Sequence, residues 1–216
     1  TEGVLEEQIV YGIRESLKKS ADIKRTSAGV VDAISAEDMG DFPDSNLAES
    51  LQRITGVAID RERGEGAQVT VRGFGPDFNL VLLNGRQMPT SSIASADRTL
   101  GRSFDFGNLA SEGISSVRVY KSGKADVPTG GIGATIDIRT ARPLESPGFQ
   151  ATAAISAMHD NSTTNGDDHT PEISALFSNT FADDTIGVAL SVVRQERNNG
   201  ANTASVGGWR TFGGNV

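Results

Sequence analysis

Val69-Thr70-Val71-Arg72-Gly73-Phe74-Gly75-Pro76-Asp77-Phe78-Asn79-Leu80-Val81-Leu82-Leu83-Asn84-Gly85-Arg86 is the stretch from which the rest of the chain can be read. Val69 and Val71 alternate with polar neighbours, the period of a half-buried strand. Arg72 continues this strand pattern directly before Gly73, where a buried guanidinium would need a carboxylate partner. The aliphatic block Leu80-Val81-Leu82-Leu83 is strand-sized and far short of a membrane-spanning helix. Asn84-Gly85 tolerates positive φ at both centres of a type I′ turn, so residues 79–83 and Arg86 to Met88 are predicted to form a β-hairpin.

Upstream, Asn46-Leu47-Ala48-Glu49 has the form of a capping box, in which Asn46 accepts from the first turn and Glu49 reaches back. Leu47, Leu51 and Ile54 share one helical face, Arg53 sits in the last turn, and Gly56 supplies a left-handed stop. Similar capping chemistry predicts a short helical turn at Ser35-Ala36-Glu37-Asp38. After Gly56 the period becomes two: Val57 and Ile59 begin a strand that ends in the polar tip 61–66. Downstream of the hairpin come a Ser/Thr-rich loop (90–103) and a strand marked by Ile114, Val117 and Val119. A glycine-rich turn, Thr129-Gly130-Gly131-Ile132-Gly133, precedes an alternating strand over 135–139. These features predict a small α+β domain of short strands and helices.

The chain changes character near Pro143 and Pro147. All five lysines precede that point, and residues 148–216 carry three arginines against seven acids. In 149–158, Phe149, Ala151, Ala153, Ile155 and Ala157 face one way, with Gln150, Thr152 and Ser156 opposite. Ile173, Ala175, Phe177 and Phe181 repeat the pattern against Glu172, Ser174, Ser178 and Thr180. Ile186, Val188, Leu190 and Val192 repeat it again. Each segment has about the 9–11 residues that cross a bilayer as a tilted strand. A short turn (182–185) and a longer polar loop (159–170) join them, as in outer-membrane barrels. An antiparallel sheet with one wetted face is the alternative on alternation alone.

Composition narrows the function. A net charge of −8 argues against nucleic-acid binding. The chain has no cysteine and only His159 and His169, which leaves little for thiolate or imidazole catalysis. Gly73-Phe74-Gly75 lacks the third glycine of a dinucleotide loop, and Gly123-Lys124 lacks the leading glycine of a P-loop. Asp160, Asn161, Asp167 and Asp168 lack the spacing of a calcium loop. The expectation is a non-enzyme with no catalytic residue, no cofactor and no metal site.

The ordered pieces resemble the plug domain of TonB-dependent outer-membrane receptors followed by the first barrel strands. They are Glu6-Glu7-Gln8-Ile9-Val10-Tyr11-Gly12, Leu47-Ala48-Glu49-Ser50-Leu51 running to Ile54-Thr55-Gly56-Val57, Val71-Arg72-Gly73-Phe74-Gly75, Leu82-Leu83-Asn84-Gly85-Arg86, and Thr129-Gly130-Gly131-Ile132-Gly133-Ala134-Thr135-Ile136-Asp137-Ile138. The resemblance implies a TonB-box-like segment over 1–20, a plug over 21–147, and antiparallel transmembrane strands of an incomplete barrel over 148–216. Three such strands cannot close a barrel, which needs about eight or more. The chain is therefore expected to be one piece of a larger polypeptide.

For function, the resemblance implies active transport across the outer membrane of a Gram-negative bacterium. The implied partners are TonB of the inner-membrane energising complex, the remaining barrel, outer-membrane lipid and a small-molecule or oligosaccharide substrate. Ile9, Val10 and Tyr11 are the implied TonB contact, since an extended segment can add a strand to a partner's sheet edge. Arg72 and Lys121 are the implied plug–barrel contacts; Lys121-Ser122-Gly123 stands where the family often has Arg-Gly-Pro. The plug apices supply the candidate substrate residues Arg63, Glu65, Asp77, Phe78, Thr90, Ser91 and Ser92. Phe78 could stack on a sugar ring among carboxylates and hydroxyls, which favours a carbohydrate. A ferric siderophore met by Arg63 is the alternative ligand, and a soluble periplasmic binding or adhesion module is the alternative class.

Overall fold

The computed structural model describes residues 18–35, 46–62, 64–90, 101–109, 113–159, 169–196 and 198. A helix over 18–26 (α1) leads into β1 (Val31–Ser35). Ser35 closes that strand, and the helical turn expected at 36–38 lies outside the described residues. No helix among the described residues is long and apolar enough to cross a membrane.

Helix α2 (Leu47–Leu51) starts where its cap predicts: Asn46 Oδ1 accepts from the amides of Ala48 at 3.0 Å and Glu49 at 3.3 Å. Among the described contacts, the two Glu49 carboxylate oxygens meet Arg61, with Nε at 3.2 Å and Nη2 at 2.6 Å, a forked ion pair that outcompetes a single bond to the cap amide. Leu47, Leu51 and Ile54 are all buried, as their shared face requires. The helix ends before Arg53, whose amide bonds back to Ser50 O at 3.2 Å, and Ile54 N follows to Leu51 O at 3.0 Å. Gly56 is left-handed (φ 75°), but it serves the turn that launches the next strand.

That strand, β2 (Val57–Glu62), pairs antiparallel with β3 (Glu65–Val71) as a two-stranded ribbon. Then come β4 (Asn79–Leu83), β5 (Arg86–Gln87), β6 (Ile114–Tyr120) and β7 (Ala134–Thr140). With β1 they form a sheet in the order β1-β6-β7-β4-β5. Asn84 and Gly85, at φ 52° and 79°, make the predicted hairpin turn between β4 and β5. Strand β4 runs parallel to β7 in the sheet interior, and Leu80, Val81 and Leu82 are buried in succession. Burial on both faces explains a continuous aliphatic run where an edge strand would alternate. Leu47 and Leu51, Val69 and Val71, Val117 and Val119, and Ile136 and Ile138 meet in one core between α2, the ribbon and the sheet. Phe104 and Phe106 close it edge-to-face, ring centroids 5.1 Å apart.

The last three strands, β8 (Gln150–His159), β9 (His169–Phe181) and β10 (Ile186–Gln195), form an antiparallel sheet with β9 central. Register sets Ala151 and Leu190 on either side of Phe177, and Ala153 and Val192 on either side of Ala175. The three apolar stripes therefore merge into one face. It is open: Phe177, Val188, Leu190 and Ile155 are 47%, 58%, 60% and 81% exposed. The opposite face meets the first domain. A Cβ on Gly187 would lie 2.6 Å from Pro143 Cβ, and one on Gly113 would lie 3.3 Å from Ser191 Oγ. The polar side of the strands thus turns toward the domain and the apolar side away from it, the arrangement of a barrel wall around a filling.

Candidate functional site

Strand β3 ends at Val71, and the chain reverses at once. Arg72 (φ 54°) and Gly73 (φ 80°) are left-handed, while Val71 N bonds Phe74 O at 3.1 Å and Phe74 N bonds Val71 O at 3.0 Å. Arg72 therefore stands in a turn, not inside a strand as its sequence neighbours suggest. Its Nη2 donates to Gly133 O at 2.7 Å, so a backbone carbonyl takes the place of the expected carboxylate. The guanidinium pins the glycine-rich turn over the beginning of β4.

Close approach is why that turn needs glycine. A Cβ on Gly133 would lie 2.4 Å from Asn79 Oδ1 and 2.9 Å from Phe74 Cβ, and one on Gly131 would lie 2.1 Å from Ala134 O. Gly133 N donates to Phe78 O at 3.0 Å. The result is an apolar surface at one end of the sheet. Phe74 and Phe78 pack edge-to-face with centroids 6.3 Å apart, yet are 42% and 49% exposed, and Ile132 is 69% exposed.

Asp77 has a scaffold role that its place on a turn did not reveal. Its Oδ1 accepts from the amides of Arg102 at 2.7 Å and Ser103 at 2.9 Å, latching a segment 25 residues away. Gly101 permits this, since a Cβ there would lie 2.5 Å from the same oxygen. The latch holds Arg102 at the surface beside Asp77, with Nη2 3.5 Å from Gly130 O. Phe74 and Arg102 are the residues that sequence reading missed; for Phe74 the signal was its spacing of four from Phe78.

Thr90 is exposed and, with Asn79, Gln87, Pro89 and Arg102, lines a cavity of about 140 Å³. That is below the roughly 300–1,000 Å³ of an enclosed ligand pocket. Glu65 begins β3 and is separated from the Phe78 end by that strand, about 20 Å long at its seven residues. Arg63, Ser91, Ser92, Ile9, Val10 and Tyr11 lie outside the described residues.

Lys121 is buried inside the first domain. Its Nζ donates to Asp32 Oδ2 at 2.5 Å and to Thr55 O at 2.6 Å, and Asp32 Oδ1 also takes Lys24 at 2.7 Å. These partners belong to the domain itself, not to β8–β10. Burial raises the Asp32 carboxyl pKa, but bonds and charge from Lys121 and Lys24 outweigh it and hold the group below the ordinary carboxylate value.

Connectivity orients the surface. Strand β7 ends at Thr140 and feeds β8 beside the short turn at 182–185, where Gly148 N bonds Thr180 Oγ1 at 2.7 Å. Gly133, Phe74 and Phe78 lie at the other end of β7, away from the short-turn side of the barrel strands. The family model of the TonB-dependent receptor plug domain matches residues 23–135.

The chain belongs to that family.

The plug and the strands after it together resemble whole receptors of this class. The siderophore receptor PirA from Acinetobacter baumannii is 20% identical, with a TM-score of 0.63 over 82% of this chain and 26% of that one. The ferric enterobactin receptor PfeA of Pseudomonas aeruginosa is 17% identical, with a TM-score of 0.58 over 80% and 26%. The alcaligin outer-membrane receptor FauA from Bordetella pertussis is 16% identical, with a TM-score of 0.56 over 78% and 26%. At such identities the likeness is one of fold, and the chain spans about a quarter of these receptors' length. No curated protein sequence matches it. The plug with its incomplete barrel belongs to the outer membrane of a Gram-negative bacterium.

Proposed function

We propose that this plug serves a receptor that takes up an anionic metal chelate of the ferric siderophore kind by TonB-coupled active transport. The observation that carries the transport reading is a plug family match continuing into strands whose apolar face turns away from the plug. In outer-membrane barrels short turns face the periplasm, so the Phe74–Phe78 surface is the outward one. The same reading keeps the segment 1–20, with Ile9, Val10 and Tyr11, as the TonB contact, the plug as 21–147 and the barrel strands as 148–216.

For the substrate, siderophore chemistry is favoured over the carbohydrate expected from the sequence. Asp77 Oδ1 is committed to the Arg102 and Ser103 amides. The open end therefore offers two aromatic rings and, at the same glycine-rich turn, the guanidiniums of Arg72 and Arg102, which suit an aromatic, negatively charged chelate. The proteins named above as siderophore, ferric enterobactin and alcaligin receptors support this choice. Deleting the gene should abolish cell accumulation of one iron-55 chelate in a panel of catecholate and hydroxamate siderophores, while uptake of malto-oligosaccharides is unchanged. Loss of oligosaccharide uptake alone would restore the carbohydrate reading.

A further inference from the structure

The chain's two histidines, His159 and His169, face one another as register partners at the loop-side end of β8 and β9. Their rings stack with centroids 4.3 Å apart and planes 27° from parallel, and both residues are exposed. Alternation puts His159 on the face of Ile155 and Ala157, and His169 on that of Pro171 and Ile173. The pair thus continues the outward apolar stripe. From Phe149 to His159 the strand rises about 33 Å, or about 25 Å of height at a tilt near 40°, the height of an apolar barrel band. Phe149 marks one edge of that band and the histidine pair the other, where water and ions have access.

We propose that His159 and His169 form a binding site for a divalent transition metal ion, with Cu(II) the tightest occupant. Imidazole suits Cu, Ni and Zn, and nitrogen sites generally hold Cu(II) most strongly. Directly opposed strand residues hold their Cβ atoms about 4.5–5.5 Å apart. Two imidazole nitrogens, each about 2.0–2.1 Å from a metal, can bridge that gap by side-chain rotation alone. The ladder already fixes the two backbones, so little ordering remains to be done on binding. The pair itself supplies two coordination positions, and among the described residues no group of three or more metal-binding side chains occurs. A bound ion ties β8 to β9 across the end of their hairpin.

The test uses the receptor that contains this chain, extracted in detergent, stripped by a chelator and titrated with Cu(II) chloride. His159→Gln and His169→Gln should each remove one equivalent of bound copper or weaken it by about tenfold or more, the effect of losing one of two imidazoles. The double variant should bind copper no more tightly than either single one. The wild-type electron paramagnetic resonance spectrum should show coupling to two equatorial nitrogens that both single variants lose. In hydrogen exchange, Cu(II) should slow the amides of Met158 and Thr170 in the wild type alone. Unchanged stoichiometry and affinity in either single variant would overturn the site, as would loss in one variant with full retention in the other.

Discussion

Lys121, one residue past the end of β6, binds Asp32 in the edge strand β1 with its ammonium 2.5 Å from the carboxylate, although 89 residues separate the two. The Lys121 side chain is 7% exposed and that of Asp32 16%. The same ammonium holds Thr55 O, so one cation ties β6, β1 and the loop after α2. It fastens the first strand of the plug, the one nearest the N-terminal segment.

Removing one partner leaves the other with its remaining contact, Lys24 for Asp32 and Thr55 O for Lys121. Lys121→Met and Asp32→Asn should therefore each destabilise the plug by about 1–3 kcal/mol. Faster hydrogen exchange of the β1 amides in the receptor is the readout, with the β8–β10 amides as internal reference.

The same pair sets a pH dependence. Asp32 has a lowered carboxyl pKa in the folded plug, so it contributes stability fully present above the unfolded value, near 3.9. That contribution is lost as pH falls through the lowered folded value. Protection of β1 should be flat from neutral pH to about pH 5 and should decline below about pH 4. In Asp32→Asn this decline should be shallower; an equal decline in both would assign it to other carboxylates.

Steric limits in the glycine-rich turn predict a graded series. Gly131→Ala and Gly133→Ala place a methyl group 2.1 Å from Ala134 O and 2.4 Å from Asn79 Oδ1, and should cost about 1–3 kcal/mol each. Gly123→Ala meets nothing within 4 Å and should stay within about 0.5 kcal/mol of wild type. Denaturation midpoints of the three variants should separate accordingly.

What was legible in the sequence was local. Asn46 before Leu47, Asn84-Gly85 between two runs, and the period of two in β8–β10 each state their structure within a few residues, and all three appear in the fold. What was not legible depends on partners far along the chain. Glu49 pairs with Arg61 because β2 brings the two together. Arg72 leaves the strand because Gly133, 61 residues on, offers a carbonyl. Asp77 becomes a latch only once the segment at 102–103 folds back. Sequence spacing carried the outline of the exposed Phe78 turn, while tertiary pairing decided which polar groups remain available there.

Neighbouring residues on the barrel strands should respond oppositely to charge. Ala153 lies on the outward stripe and Thr152 on the face turned to the plug. Ala153→Arg should cost about 2–4 kcal/mol if it sits near the bilayer midplane, whereas Thr152→Arg should cost far less. Refolding of the receptor into lipid vesicles across a urea series distinguishes the two, and equal penalties would contradict the assigned faces.

The central claim, that this plug gates energised uptake of an anionic ferric chelate, is tested most directly by Val10→Pro in cells supplied with the iron-55 chelate identified by the deletion strain. Proline removes a backbone donor and fixes φ, so a strand added at 9–11 to a TonB sheet edge cannot form. Binding of the chelate at the cell surface should be normal, and accumulation inside should fall to the level seen when the inner-membrane proton gradient is collapsed. Undiminished accumulation in Val10→Pro cells, with the gradient intact, would contradict the central claim.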